Sequence, residues 1–198
     1  TASEIFSAKA VFMNITPQWI FDNLSRSYYH SLMGIDYKKP EFSPEKGRGW
    51  VIDQDFIPRK SSTASVVIQG VKPGENPEMT TMWTVLGYPP AGLAIPLWVK
   101  TAENQPSVVL KAADSKNAAA CNMALALKYK TFSVKRGNGP KYMYFPLIYN
   151  SAGTGYLQEL KGSEESIFAV YRESIERWRK EGLNTSEVIK LNQQADQI

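Results

Sequence analysis

The chain has 198 residues, 43% of them hydrophobic and 12% aromatic, which is enough for one ordinary domain with a substantial core. A single Cys and a single His exclude an intrachain disulfide and any zinc site built from Cys and His. The net charge is +4, and the basic residues are scattered rather than gathered into the dense patch of a nucleic-acid binder, so no nucleic-acid partner is expected. No apolar run reaches the roughly 18 residues of a membrane span; the stretch 92–99 is far shorter. Residues 1–10 carry neither the basic n-region nor the apolar h-region of a signal peptide. The first residue is Thr1 rather than Met, which is expected of a processed product or a fragment of a longer protein.

Ile5, Ala8 and Phe12 share one face of a helix expected over 2–13. Thr16 is a good N-cap with Pro17 at the first helical position, where its missing N–H costs nothing. Ile20, Leu24, Tyr28 and Leu32 recur every four residues, so a helix is expected to about Met33, with Gly34 at C′. Residues 35–60 are loop-like, rich in Pro, Gly and charge, with a short strand expected around 49–52.

The clearest β signal lies between 61 and 99. Thr63, Val66, Val67, Ile68 and Val71 are strand formers, and Lys72-Pro73-Gly74-Glu75 fits a type II turn. The return strand is expected from Met79 to Leu86, stopped by Gly87 and by Pro89-Pro90, and a third strand from Ala94 to Val99. Neither hairpin strand alternates cleanly, which predicts a sheet covered on both faces. Residues 115–132 read as a helix burying Met123, Leu125, Ala126 and Leu127. Gly137 to Pro140 breaks the chain, and Tyr142 to Leu147 is expected to be a short strand or extended arm. A long helix is expected from about Glu164 to Glu181, with Ser163 as N-cap, charges matched to the dipole at both ends, and Gly182 closing it. Thr185 is expected to cap a final short helix. The order of helices, consecutive strands and helices gives an α+β class with a largely antiparallel sheet. It forms one domain over 1–198, or the C-terminal portion of one, with a loop-rich insertion at 35–60 and a mainly helical part at 115–198.

No complete catalytic centre emerges. Thr1 has the residue type of an N-terminal nucleophile, but such nucleophiles open a strand and this segment reads as helix. Cys121 lies in an apolar helix without a cation within one turn, the setting of a core thiol. His30, beside Tyr28 and Tyr29, reads as a surface or cap residue rather than a base. Asp53 and Asp55 could share one side of a strand, but no third ligand completes a metal site. Tyr142, Tyr144, Phe145 and Tyr149 fit core packing better than a ligand pocket. No phosphate loop, serine elbow or HExxH motif occurs, and no cofactor or metal is expected.

The run from Asp55 to Val71, with Ile57-Pro58-Arg59-Lys60-Ser61-Ser62-Thr63 at its head, continues through Gly74-Glu75, Met79 to Trp83 and Leu86-Gly87-Tyr88-Pro89. It resembles the C-terminal half of linear-amide C–N hydrolases of the N-terminal-nucleophile (Ntn) fold, the relatives of isopenicillin N acyltransferase and choloylglycine hydrolase. The opening Thr1 to Phe6 is similar to a helix of those proteins, so the resemblance covers roughly Thr1 to Val99. It implies part of an α-β-β-α sandwich and a small-molecule amide substrate. It also implies a Cys nucleophile on an N-terminal half of the same protein, upstream of Thr1, whose own α-amino group shuttles the proton. Asp, Asn and Arg residues, mostly upstream as well, would orient the amine and stabilise the oxyanion.

This sequence departs from that pattern at its start, where no Cys stands, and Cys121 is at none of the nucleophile positions. The residues that could be carried over are secondary: Ser62, Thr63 and Ser65 as hydrogen-bonding groups near the site, Arg59 toward an anionic group, and Trp83 against an acyl group. The alternative is a non-catalytic binding or structural α+β domain. An exported bacterial protein is the preferred compartment, and a homo-oligomer is left open.

Overall fold

Thr16 starts the first helix as its position predicts. In the computed structural model, which describes residues 15–111 and 113–197, its Oγ1 accepts from the Trp19 amide at 3.1 Å. With Pro17 at the first position, helix α1 spans Pro17–Ile20 and continues as a π-helical turn, Phe21–Ser25. The expected continuation to Met33 does not form. Arg26 is drawn into a buried ion pair with Glu164, and Tyr28 is fully buried, so the chain leaves the helical path between them. Tyr29–His30 (β1) and Ile35–Asp36 (β2) instead pair as an antiparallel ribbon. Gly34, at φ +67, lies in its turn rather than at a helix end, and Leu32 is 94% exposed. The helix expected over 2–13 lies outside the described residues.

Residues 35–60 carry β2, two 3-10 turns at Pro40–Phe42 and Pro44–Lys46, and the expected strand, β3 (Trp50–Ile52). The main sheet is antiparallel, in the order β4 (Ala64–Gln69), β5 (Thr81–Leu86), β6 (Ile95–Leu97). Its register sets Val67 opposite Trp83 and Ile68 opposite Met82. The turn between β4 and β5 has the predicted chemistry: Gly74 sits at φ +89 and the Glu75 amide donates to the Lys72 carbonyl at 3.0 Å. β5 ends at Gly87, φ +78, where a Cβ would come within 2.6 Å of the Ala124 Cβ. β7 (Tyr142–Tyr144) pairs antiparallel with β3, joining the insertion to the second half of the chain.

Helix α2 spans Ala119–Thr131, but its buried residues are Ala124, Lys128 and Thr131. Of the four expected there, Met123 is 68% exposed, Ala126 is exposed, and Leu125 and Leu127 are half-buried. The reason is close approach: Gly87 lies against the Cys121 backbone and Ala124, a distance only small residues allow. Helix α3, Tyr156–Glu181, begins before the expected Ser163 cap. The Gln158 side chain reaches back to accept from the Gly155 amide at 3.1 Å and so holds the earlier start. Gly182, at φ +91, closes it as predicted, donating to the Trp178 carbonyl at 2.8 Å. Helix α4, Thr185–Ala195, is capped by Asn184, one position before the expected Thr185; its side chain accepts from the Glu187 amide at 3.1 Å.

Two cores follow. One packs Trp83, Val85, Ala94 and Trp98 of the sheet region against Phe168, Tyr171, Ile175 and Trp178 of α3. The other gathers Tyr28, Phe56, Tyr88, Met143, Phe145, Ile148 and Tyr156. The fold class is α+β with small antiparallel sheets.

The expectation of a sheet covered on both faces is corrected on the side away from α3. There Val66 is 50%, Ile68 69% and Met82 39% exposed. Thr84, opposite Val66, and Ile95, opposite Thr84, are buried, so the opening is confined to one end of that face. The misreading came from β5, whose positions are nearly all buried, whereas β4 alternates.

Candidate functional site

The chain enters β4 through a loop at 53–63 that carries three of the five singled-out residues. Asp53, 4% exposed, closes this loop: its Oδ2 accepts from the Lys60 amide at 2.6 Å, while its own amide donates to the Lys141 carbonyl at 3.0 Å. Ser62 Oγ donates to the Ile57 carbonyl at 2.8 Å, and Arg59 Nε to the Phe56 carbonyl at 3.2 Å. Both side chains therefore hold the loop's own backbone. Thr63 is exposed.

Two buried groups grip the loop from below. Tyr88 OH donates to the Pro58 carbonyl at 3.1 Å and lies 3.0 Å from Tyr28 OH. Burial pushes both phenols well above their ordinary range. Lys128 Nζ, from α2, donates to the Ser62 carbonyl at 3.1 Å and lies over the Tyr88 ring. Burial, and then Lys60, lower its pKa. Sequence reasoning did not find Lys128, because nothing local distinguishes it from the solvated Lys130 of the same helix.

The other two residues face the helix side of the sheet. Ser65 Oγ shares a 2.6 Å hydrogen bond with Ser25 Oγ. Trp83, expected beside an acyl group, is 3% exposed and stacked on Phe168 at 4.4 Å, with Nε1 donating to Gln69 Oε1 at 3.1 Å. Its ring is core.

The remaining candidates separate. His30 Nδ1 accepts from the Met33 amide at 3.3 Å, and its Nε2 lies 3.6 Å from Asp55 Oδ2. Asp55 is exposed and turned to His30 whereas Asp53 is buried in the loop, so the two carboxylates form no acid/base pair. Cys121 is half-buried, its backbone against Gly87. Phe145 is fully buried and sits edge-on to Tyr28 at 5.0 Å, as core packing requires, but Tyr142 is exposed, Tyr144 packs at 5.1 Å on an exposed Trp50, and the half-buried Tyr149 lines a cleft. Thr1 lies outside the described residues. Among the described residues no group of three or more His, Cys, Asp or Glu could hold a metal ion.

A cleft of about 370 Å³ opens between the π-helical turn and α3, and the buried Arg26–Glu164 pair forms its floor. Arg26 is fully engaged: Nη1 and Nη2 meet Glu164 at 2.9 and 2.7 Å, Nε donates to the Pro89 carbonyl at 2.9 Å, and Nη2 to the Gly92 carbonyl at 2.8 Å. Asp22 lines the wall, 3.8 Å from Arg26. Burial raises its pKa, against the lowering effect of Arg26. Lys38 and Tyr149 line both this cleft and a second one between the segments 40–46 and 150–158.

Among the described residues no helix is long and apolar enough to cross a membrane. No family model, curated protein or solved structure matches the chain.

Proposed function

We propose that this chain is the C-terminal portion of an Ntn-type amidohydrolase or acyltransferase acting on a linear amide C–N bond of a small molecule. The nucleophile is carried by an N-terminal half of the same protein. The resemblance over roughly Thr1 to Val99 supports this reading, and one structural observation carries it furthest. The β4–β5–β6 sheet packs α3 on one face and leaves Val66, Ile68 and Met82 exposed at one end of the other. A sheet with a helix on one side and an open apolar patch on the other has the character of one half of a layered sandwich, whose inner face belongs against a second sheet.

In that reading an upstream Cys attacks the amide carbonyl, its α-amino group carries the proton to the leaving amine, and water or a second amine then takes the acyl group. This chain contributes the supporting sheet and the loop at 53–63. The exposed hydroxyl of Thr63 is the group of that loop open to a substrate, and Arg59, also exposed, keeps its Nη groups outward while Nε holds the Phe56 carbonyl. The engagement of Ser62 with its own loop, and of Trp83 with the core, favours a second reading, a binding or structural domain without chemistry of its own.

Turnover separates the two. The product of the whole gene is incubated with a panel of N-acyl amines and bile-salt-like amides, and amine release is measured. The enzyme reading expects release from at least one linear amide, retained in Cys121→Ala and lost in Ile68→Lys. Absence of release across the panel, or its loss in a folded Cys121→Ala protein, overturns it.

A further inference from the structure

We propose that the cleft above the Arg26–Glu164 pair is a binding site for a small zwitterion, an α-amino acid with an apolar side chain. The proposal does not rest on the amide-hydrolase reading. At about 370 Å³ the cleft falls within the size range of small-ligand pockets, about 300–1,000 Å³. Its charges sort by engagement. Arg26 and Glu164, each 5% exposed, neutralise one another on the floor and fix its shape. Lys161 lies 3.8 Å from Glu165 on the same helix. That leaves one cation and one anion. Lys38 Nζ has no ion-pair or hydrogen-bond partner among the described residues, and it borders three clefts, two of them together with Asp22.

Asp22 is the complementary group. Its nearest cation, Arg26, is 3.8 Å away and already spent on Glu164 and two carbonyls. The Asp22 side chain is 56% exposed, so its carboxylate keeps an open side on which an ammonium can pair with it. A ligand with a carboxylate for Lys38 and an ammonium for Asp22 satisfies both at once. Leu157, Leu160 and Pro90 line the same cleft and offer apolar surface to the side chain between them.

The test titrates the 198-residue chain with L-leucine, followed by calorimetry and amide NMR shifts. Isocaproate, which lacks the ammonium, and isoamylamine, which lacks the carboxylate, are titrated in parallel. The expected result is saturable leucine binding that shifts the amides of Asp22, Lys38 and Leu160 and lowers the pKa of Asp22. Each analogue, and each of the variants Lys38→Ala and Asp22→Asn, should bind or be bound at least about tenfold more weakly, the scale of one lost charge-assisted contact. Melting temperature is measured on both variants, so that a loss of binding is read only in folded protein. No saturable leucine binding, affinity unchanged in both variants, or equal binding of isocaproate overturns the proposal.

Discussion

Arg26 and Glu164, far apart in the chain, meet through two short hydrogen bonds in a site where each is 5% exposed. The pair fastens three pieces of the chain: the π-helical turn, the segment 89–94 leading into β6, and the N-terminal half of α3, with Glu164 also accepting from the Ala94 amide at 3.3 Å. A buried pair of this kind does not by itself add much stability, but removing one member leaves a charge without compensation. Glu164→Gln should therefore cost about 3–5 kcal/mol, measured as a lower urea midpoint at unchanged slope. The double variant Arg26→Met with Glu164→Leu should be less destabilised than Glu164→Gln alone, because no uncompensated charge then stays buried.

The loop at 53–63 hangs on Asp53. Replacing it by Ala strips the Lys60 amide of its acceptor and should cost about 1–3 kcal/mol. Hydrogen exchange of the Lys60 amide, bonded to Asp53 at 2.6 Å, should accelerate well beyond that of the β5 amides. Equal acceleration throughout the sheet would show that Asp53 serves the whole fold rather than this loop.

Alkaline pH should reveal two opposed effects. Tyr28 and Tyr88 are buried, so their folded pKa values lie above the ordinary 10.0. The unfolded chain then loses those protons first, and stability falls as pH rises past about 10. Lys128 has the opposite sign: its folded pKa lies below 10.5, so the unfolded state holds the proton more tightly. Its contribution to stability rises between the lowered value and 10.5. Denaturation midpoints measured across this range should lose the rise in Lys128→Met and show a shallower fall in Tyr88→Phe.

The open patch on β4 predicts self-association of the isolated chain. β4 is an edge strand of uncharged residues, with Val66 and Ile68 exposed. Sedimentation velocity should show concentration-dependent association that Ile68→Lys abolishes, while stability changes by no more than about 0.5 kcal/mol because the site is exposed. A strictly monomeric wild-type chain would remove this reading of the patch.

Local signals were legible where a few neighbouring residues decide the outcome. The Thr16-Pro17 start, the Lys72–Glu75 turn and the stop at Gly182 all depend on nearby backbone chemistry, and all form as predicted. The failures lie where a distant partner decides. The helix to Met33 is interrupted by Arg26 turning to Glu164, which no window around residue 26 contains. Periodicity counts apolar residues and so puts Met123 inside, but the Gly87 approach selects Ala124 instead. Of the candidate site, the clustering of Arg59, Ser62 and Thr63 was legible as one contiguous run. The grip of Lys128 on Ser62 was not, since it depends on how α2 lies against that loop.

The most direct test of the amide-hydrolase reading is to locate the acyl group. The product of the whole gene is quenched during turnover of an N-acyl amine, digested, and mapped by mass spectrometry. The account predicts an acyl adduct on a Cys outside residues 1–198, with Cys121 unmodified. An adduct on Cys121 or Thr1, or a gene that encodes no Cys upstream of Thr1, would contradict it.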